Sequence, residues 1–198
     1  MIDIIISQAE FLSMRISKQR TAENRARVVD EAARLFREKG FDGVGVAELM
    51  AAAGMTHGGF YNHFGSKDEV EAAACAAVFE TSLARIGAVA QETDPAKRAE
   101  RFADYRARYV SAKSRDSSGA SCPMVAFAGD VSRQSEPVRA AYARGLAAYL
   151  DAFAEASDLP RAQAIQVFAG LVGALTLARS VAGDDPTLSD EILAAARG

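Results

Sequence analysis

The 198-residue chain has no tryptophan, two cysteines, two histidines and five prolines, and each scarcity removes a class of protein. Cys75 and Cys122 are too few and too far apart for a disulfide framework or a zinc ribbon, a usage that fits a reducing cytoplasm. His57 and His63 have no Cys, His or carboxylate at a standard ligand spacing, so neither a metal nor a cofactor is expected. No uninterrupted apolar run approaches the roughly 18–20 residues of a membrane span, so no membrane partner is expected. Residues 1–6 are apolar but few, and Asp3 stands where a signal peptide would carry positive charge. Gly-rich phosphate loops and nucleophile elbows are missing, so no catalytic residue is expected and the chain does not read as an enzyme.

What is present is alanine-rich and helical. Hydrophobic residues make up 49% and charged residues 25%, ordinary values for a folded domain and far from those of disordered chains. The net charge of −3 argues against nucleic acid, but its distribution argues for it. Residues 15–67 hold nine Lys/Arg against six Asp/Glu, whereas residues 68–198 hold fourteen against eighteen. A modest basic module thus precedes an acidic body. Residues 1–24 read as a flexible tail, with Met14 a candidate initiator; an intact mass that includes residues 1–13 would exclude that start.

Helical periodicity recurs throughout, without convincing period-two alternation. Val28, Ala32, Leu35 and Phe36 fall on one helical face, and Gly40 ends that segment as a left-handed cap. A short helix from Val46 to Ala53 ends at Gly54, and Thr56 opens a second one reaching about His63. Ser66 and Glu69 have capping-box spacing before a long helix to about Gln91. Asp94-Pro95, Cys122-Pro123, Glu136-Pro137 and Leu159-Pro160 open further helices, and a last one follows Ser189. Residues 114–119 are the most loop-like stretch.

Two short helices joined by Gly54-Met55-Thr56 make a helix-turn-helix, whose second helix enters the DNA major groove by its N-terminal end. His57, Gly58 and Gly59 fill that first turn, where glycines permit close backbone approach and leave amides free for phosphate or base edges. Tyr61 and His63 put polar tips on bulky rings, and Lys67 sits at the start of the following helix, where charge and helix end both attract phosphate. The bland alternative is a structural hairpin, which leaves the glycine and aromatic-histidine pattern unexplained.

From Arg25 to Val70 the chain resembles the DNA-binding domain of TetR-type repressors. The likeness rests on Val28 to Phe36, Gly40-Phe41, Val46-Ala47-Glu48-Leu49, Ala53-Gly54-Met55-Thr56, Gly58-Gly59-Phe60-Tyr61-Asn62-His63-Phe64 and Lys67. The resemblance implies an all-α protein: a three-helix domain over residues 25–66, and a ligand-binding and dimerisation domain over 67–198. It implies double-stranded operator DNA as partner, contacted by Thr56, His57, Gly58, Gly59, Tyr61, Asn62, His63 and Lys67, with Phe36, Leu49, Phe60 and Phe64 as core. Gly45 stands where the family usually has Thr or Ser, which puts one phosphate contact in doubt. Homodimerisation, a cytoplasmic location and a small-molecule effector of unknown identity follow from the same resemblance.

Past Val70 only the helical layout is similar. Phe79, Phe102, Tyr105, Tyr109, Cys122, Phe127 and Phe168 are candidates for a ligand pocket, although each such aromatic also suits a core. Arg106, Arg108 and Arg139 lie on solvated faces unless one borders the pocket, where it would favour an anionic ligand. Helices over 136–157 and 160–181 are the candidates for a dimer interface through Tyr149, Phe168, Gly170, Leu171, Gly173, Ala174 and Leu175. Cys122 has two readings: a thiol activated at a helix start that senses oxidants or electrophiles, or a packed inert one.

Overall fold

The computed structural model describes the backbone of residues 2–197 and the side chains of residues 18–197. Among them are nine α-helices and no strand. α1 (Ile2–Lys39) is a single helix, so the backbone of residues 2–24 continues it without a break. The choice between Met1 and Met14 as initiator falls outside the described side chains. α1 ends because Gly40 takes a φ of +75°, a conformation that glycine adopts without steric cost.

α2 (Val46–Ala52) ends at Gly54, whose φ is +71°. The segment His57–Asn62 that follows is a tight 3₁₀ helix rather than an α-helix. Val28, Ala32, Phe36, Leu49, Phe60 and Phe64 close a common core under this part. Burying these large apolar side chains contributes about 1.5–3 kcal/mol each to the fold.

α3 (Lys67–Ala90) starts where Ser66 Oγ accepts from the Glu69 amide at 3.2 Å. The capping box is only half formed, since the Glu69 carboxylate turns to the Gly65 amide at 2.8 Å instead. α4 (Pro95–Tyr109) starts at Asp94, which accepts from the amides of Ala96 and Lys97. The loop-like stretch contains α5 (Ala112–Asp116), capped by Ser111, and a 3₁₀ turn over Ser118–Ala120. α6 (Pro123–Phe127), α7 (Glu136–Ser157) and α8 (Arg161–Val181) follow.

α9 (Pro186–Ala195) begins before Ser189, because Asp185 caps it by accepting from the Leu188 amide. Ser189 is instead a buried tie, donating to the Ala178 carbonyl at 2.8 Å and accepting from Arg115.

α3 packs most extensively against α7. Gly145 of α7 makes this possible: a Cβ there would stand 2.3 Å from the Phe79 ring. Tyr109, Tyr149, Phe153 and Phe168 form the aromatic centre of the larger part, with Phe102 against Phe153 at 5.1 Å. α3 and α8 have the length and mean hydropathy, 1.4 and 1.6, of helices able to cross a membrane. Here that apolarity serves packing, through Val78, Phe79 and Ile86 on α3 and Phe168, Leu171 and Leu175 on α8.

Besides α3, several contacts tie the two parts together. Phe41 packs tilted against Phe127 at 4.7 Å, the Phe41 amide donates to Asp130 Oδ2 at 3.4 Å, and the turn at Gly119 lies against Arg34 and Glu38 of α1.

Candidate nucleic-acid interface and ligand cavity

The turn after α2 places residues 56–63 on the surface. Thr56 is extended and exposed and makes no side-chain capping bond; its carbonyl accepts from the Gly59 amide at 3.0 Å. In a 3₁₀ helix residues three apart share a face. Phe60 turns inward onto Phe64, their rings 5.6 Å apart, while the Tyr61 ring meets Phe60 edge-on at 5.3 Å and is 72% exposed. His57, Gly58 and Asn62 are exposed, Gly59 is half-buried, and His63 is half-buried with Nδ1 enclosed and unpartnered.

Gly45 caps α2 through its carbonyl alone, accepting from the Leu49 amide at 3.1 Å. Neither Gly45 nor Gly58 has an atom within 4 Å of where a Cβ would stand, and neither has a positive φ. The fold does not require glycine at either place.

Lys67 is less free than its position suggests. Its ammonium donates to the Phe41 carbonyl at 2.8 Å and pairs with Glu71 at 3.1 Å. Burial raises the Glu71 pKa, and Lys67 opposes that shift. Arg25 stacks 4.5 Å over the Phe64 ring and pairs with Glu69 at 2.8 Å. The Gly65 amide first, and Arg25 second, hold the Glu69 carboxyl below its ordinary value.

The larger part encloses a cavity of about 520 Å³, a volume within the range of small-molecule sites. Tyr105, Tyr109 and Cys122 line it, as do Tyr149 and Leu175, which the sequence placed at a dimer interface. The remaining pocket candidates are structural. Phe79 packs on Tyr142, Phe102 on Phe153, Phe127 on Phe41, and Phe168 on Tyr109 and Tyr149. Tyr105 and Tyr149 share a short hydroxyl–hydroxyl bond. Burial pushes the Tyr105 phenol up to about 12 and raises those of Tyr109 and Tyr149 well above their ordinary value. All three remain neutral donors at physiological pH.

Cys122 also lines the cavity, but it is not an activated thiol. Burial raises its pKa and outweighs Tyr109 and the Met124 and Val125 amides, which act in the lowering direction expected of a helix start. Cys75 is buried and its pKa is pushed up to about 12 by the same cause.

Four of the proposed interface residues need correction on burial. Tyr149, Phe168, Leu171 and Leu175 are at most 3% exposed within one chain, and the Tyr149 and Phe168 rings pack on each other at 4.9 Å in the aromatic centre. Gly170 is exposed, and Gly173 and Ala174 are half-buried. The open side of α8 carries Ala162, Ile165, Ala169, Thr176 and Leu177, with Leu177 59% exposed.

Sequence reasoning did not find Arg85, Lys113 and Arg179 beside the cavity. They come from α3, α5 and α8, and nothing local in the sequence links three such distant cations. Arg108, one of the three arginines singled out there, does line it.

Residues 28–74 match the model of the bacterial regulatory proteins of the tetR family. Over 84 residues the chain is 33% identical to the HTH-type transcriptional regulator TtgR of Pseudomonas putida, 41% of this chain and 40% of the relative. The chain thus spans about two fifths of the length of that curated relative. Across the whole fold it is similar to reduced E. coli NemR, with a TM-score of 0.71 and 22% identity, covering 87% of this chain and 95% of that one. A TetR-family regulator from Cytophaga hutchinsonii superposes with a TM-score of 0.72 at 17% identity, covering 90% and 93%. Identities this low establish the fold alone.

Proposed function

We propose that the chain, whose residues 28–74 match the model of the tetR-family regulatory proteins, is a TetR-type repressor that binds a palindromic operator as a homodimer and leaves it when a small molecule binds. It is a regulator and not an enzyme, and it acts in the cytoplasm, where its DNA is. The observation that carries this reading is the surface formed by Thr56, His57, Gly58, Tyr61 and Asn62, whose glycine serves no internal purpose. Such a surface suits a helix end pressed against a phosphate backbone and the base edges beside it. Gly45, Gly59, His63 and Lys67 flank it, and Lys67 retains one donor beyond its two internal partners.

The outer stripe of α8 supports dimerisation. Ile165, Ala169 and Leu177 lie on it, and at Gly170 and Gly173 the positions of a Cβ are open, so a second copy of the helix meets no obstacle. Two-fold symmetry then places two recognition segments about 34–36 Å apart, or a multiple of that, on a duplex. An effector that favours a different spacing lowers DNA affinity by reciprocal linkage.

Fluorescence anisotropy on the intergenic duplex beside the chain's own gene, with excess random competitor, tests the reading. Saturable binding that survives competitor is expected, lost in Tyr61→Ala. Binding abolished equally by any DNA, or indifferent to Tyr61, would overturn it.

A further inference from the structure

We propose that the cavity takes an organic oxyanion, with an aromatic or aliphatic body among the tyrosines and its charged group between Arg85 and Arg108. This rests on reading the larger part as the effector-binding domain and adds the chemical class of the effector. The lining is one-signed: Arg85, Arg108, Lys113 and Arg179 border the cavity and no carboxylate does. Arg179 is already occupied, donating to the carbonyls of Ser114 and Arg115. The side chains of Arg85, Arg108 and Lys113 are exposed and have no hydrogen-bond or ion-pair partner among the described residues. They therefore stand where the cavity opens to solvent, with their charge uncompensated from within.

The interior adds a second observation. Ser121 Oγ is enclosed and has no hydrogen-bond partner, and the enclosed Tyr109 hydroxyl has only the Cys122 thiol, a weak partner, beside it, in residues 6% and 8% exposed. Buried donors without acceptors are costly, and a ligand oxygen would relieve that cost. Tyr149 and Leu175 supply apolar wall to the same space. Together these describe a site with cations at its opening, hydroxyl donors within and ring faces beside them, which is complementary to an amphipathic anion.

The charge of Arg85 also reaches the DNA-binding part. Arg37, near the end of α1, has its pKa lowered first by burial and second by Arg85.

Two fluorescent probes with nearly the same aromatic body separate charge from apolarity: 1-anilinonaphthalene-8-sulfonate and the neutral N-phenyl-1-naphthylamine. The full chain is expected to bind one sulfonate per chain, about tenfold or more tighter than the neutral probe. Raising salt is expected to erode that preference. Arg85→Gln/Arg108→Gln is expected to remove it while leaving the neutral probe's affinity unchanged, so a folding defect shows itself as loss of both. Equal affinity of the two probes for the native chain, or a preference retained in the double variant, would overturn the proposal. Operator anisotropy on the same samples separates the two readings. Intact operator binding with no anion preference overturns the oxyanion assignment alone, and an intact preference without operator binding overturns the regulator reading alone.

Discussion

At Gly58 neither backbone conformation nor packing asks for glycine, so residue 58 separates folding from recognition. Gly58→Ala is expected to leave Tm unchanged or slightly raised, since alanine costs less conformational entropy than glycine. On the proposed reading its methyl group stands in the path of the DNA, and the operator Kd is expected to rise about tenfold, equivalent to about 1.4 kcal/mol. Parallel thermal melts and anisotropy check both parts. The cysteines make a second prediction at this scale. Because burial raises both thiols, a fixed dose of iodoacetamide at pH 7 is expected to leave Cys75 unmodified and Cys122 nearly so in the native protein. Modification of Cys122 is expected to accelerate only as pH passes the ordinary thiol range, read by peptide mass spectrometry. A fast reaction already complete at neutral pH would mean a thiolate that the structure does not support.

Helix starts were legible in the sequence because their causes are local. Ser66 and Asp94 reach amides two or three residues ahead, and proline at a first turn needs no tertiary partner. Where an element depended on distant groups, local reading failed. Ser189 looked like a cap but is a buried tie to Ala178 and Arg115, and the 114–119 stretch is ordered partly by Arg179 bonding to Ser114 and Arg115. The inner face of α8 was mistaken for the interface because Phe168, Leu171 and Leu175 have the same periodicity whichever neighbour they meet. Gly145 makes the packing of α7 on α3 testable. Gly145→Ala forces a methyl into the buried Phe79 ring, and overpacking of this kind costs about 1–3 kcal/mol. Tm is expected to fall by roughly 2–10 °C for a chain of this size. Calorimetry showing no change would mean that α7 and α3 sit further apart than described.

For the whole molecule the two functional surfaces differ in how visible they were. The residues proposed to face DNA are contiguous, so one run of sequence carried them. The cavity draws Arg85, Tyr105, Cys122, Tyr149 and Arg179 from separate helices, and only folding assembles that charge. Dimerisation is likewise a property of a face rather than a segment. Leu177→Glu puts a charge at the most exposed apolar residue of α8 without touching its inner side. Sedimentation is expected to shift from dimer to monomer, with operator affinity falling because each half-site is then bound alone. A Leu177→Glu protein that remains dimeric would move the interface elsewhere.

Selection of bound duplexes from a random library, followed by sequencing, bears most directly on the claim that this chain reads DNA as a two-fold dimer. The account predicts enrichment of an inverted repeat whose half-sites are spaced by about one helical turn or a multiple of it. Enrichment of no motif, or of a single unpaired half-site, would contradict it.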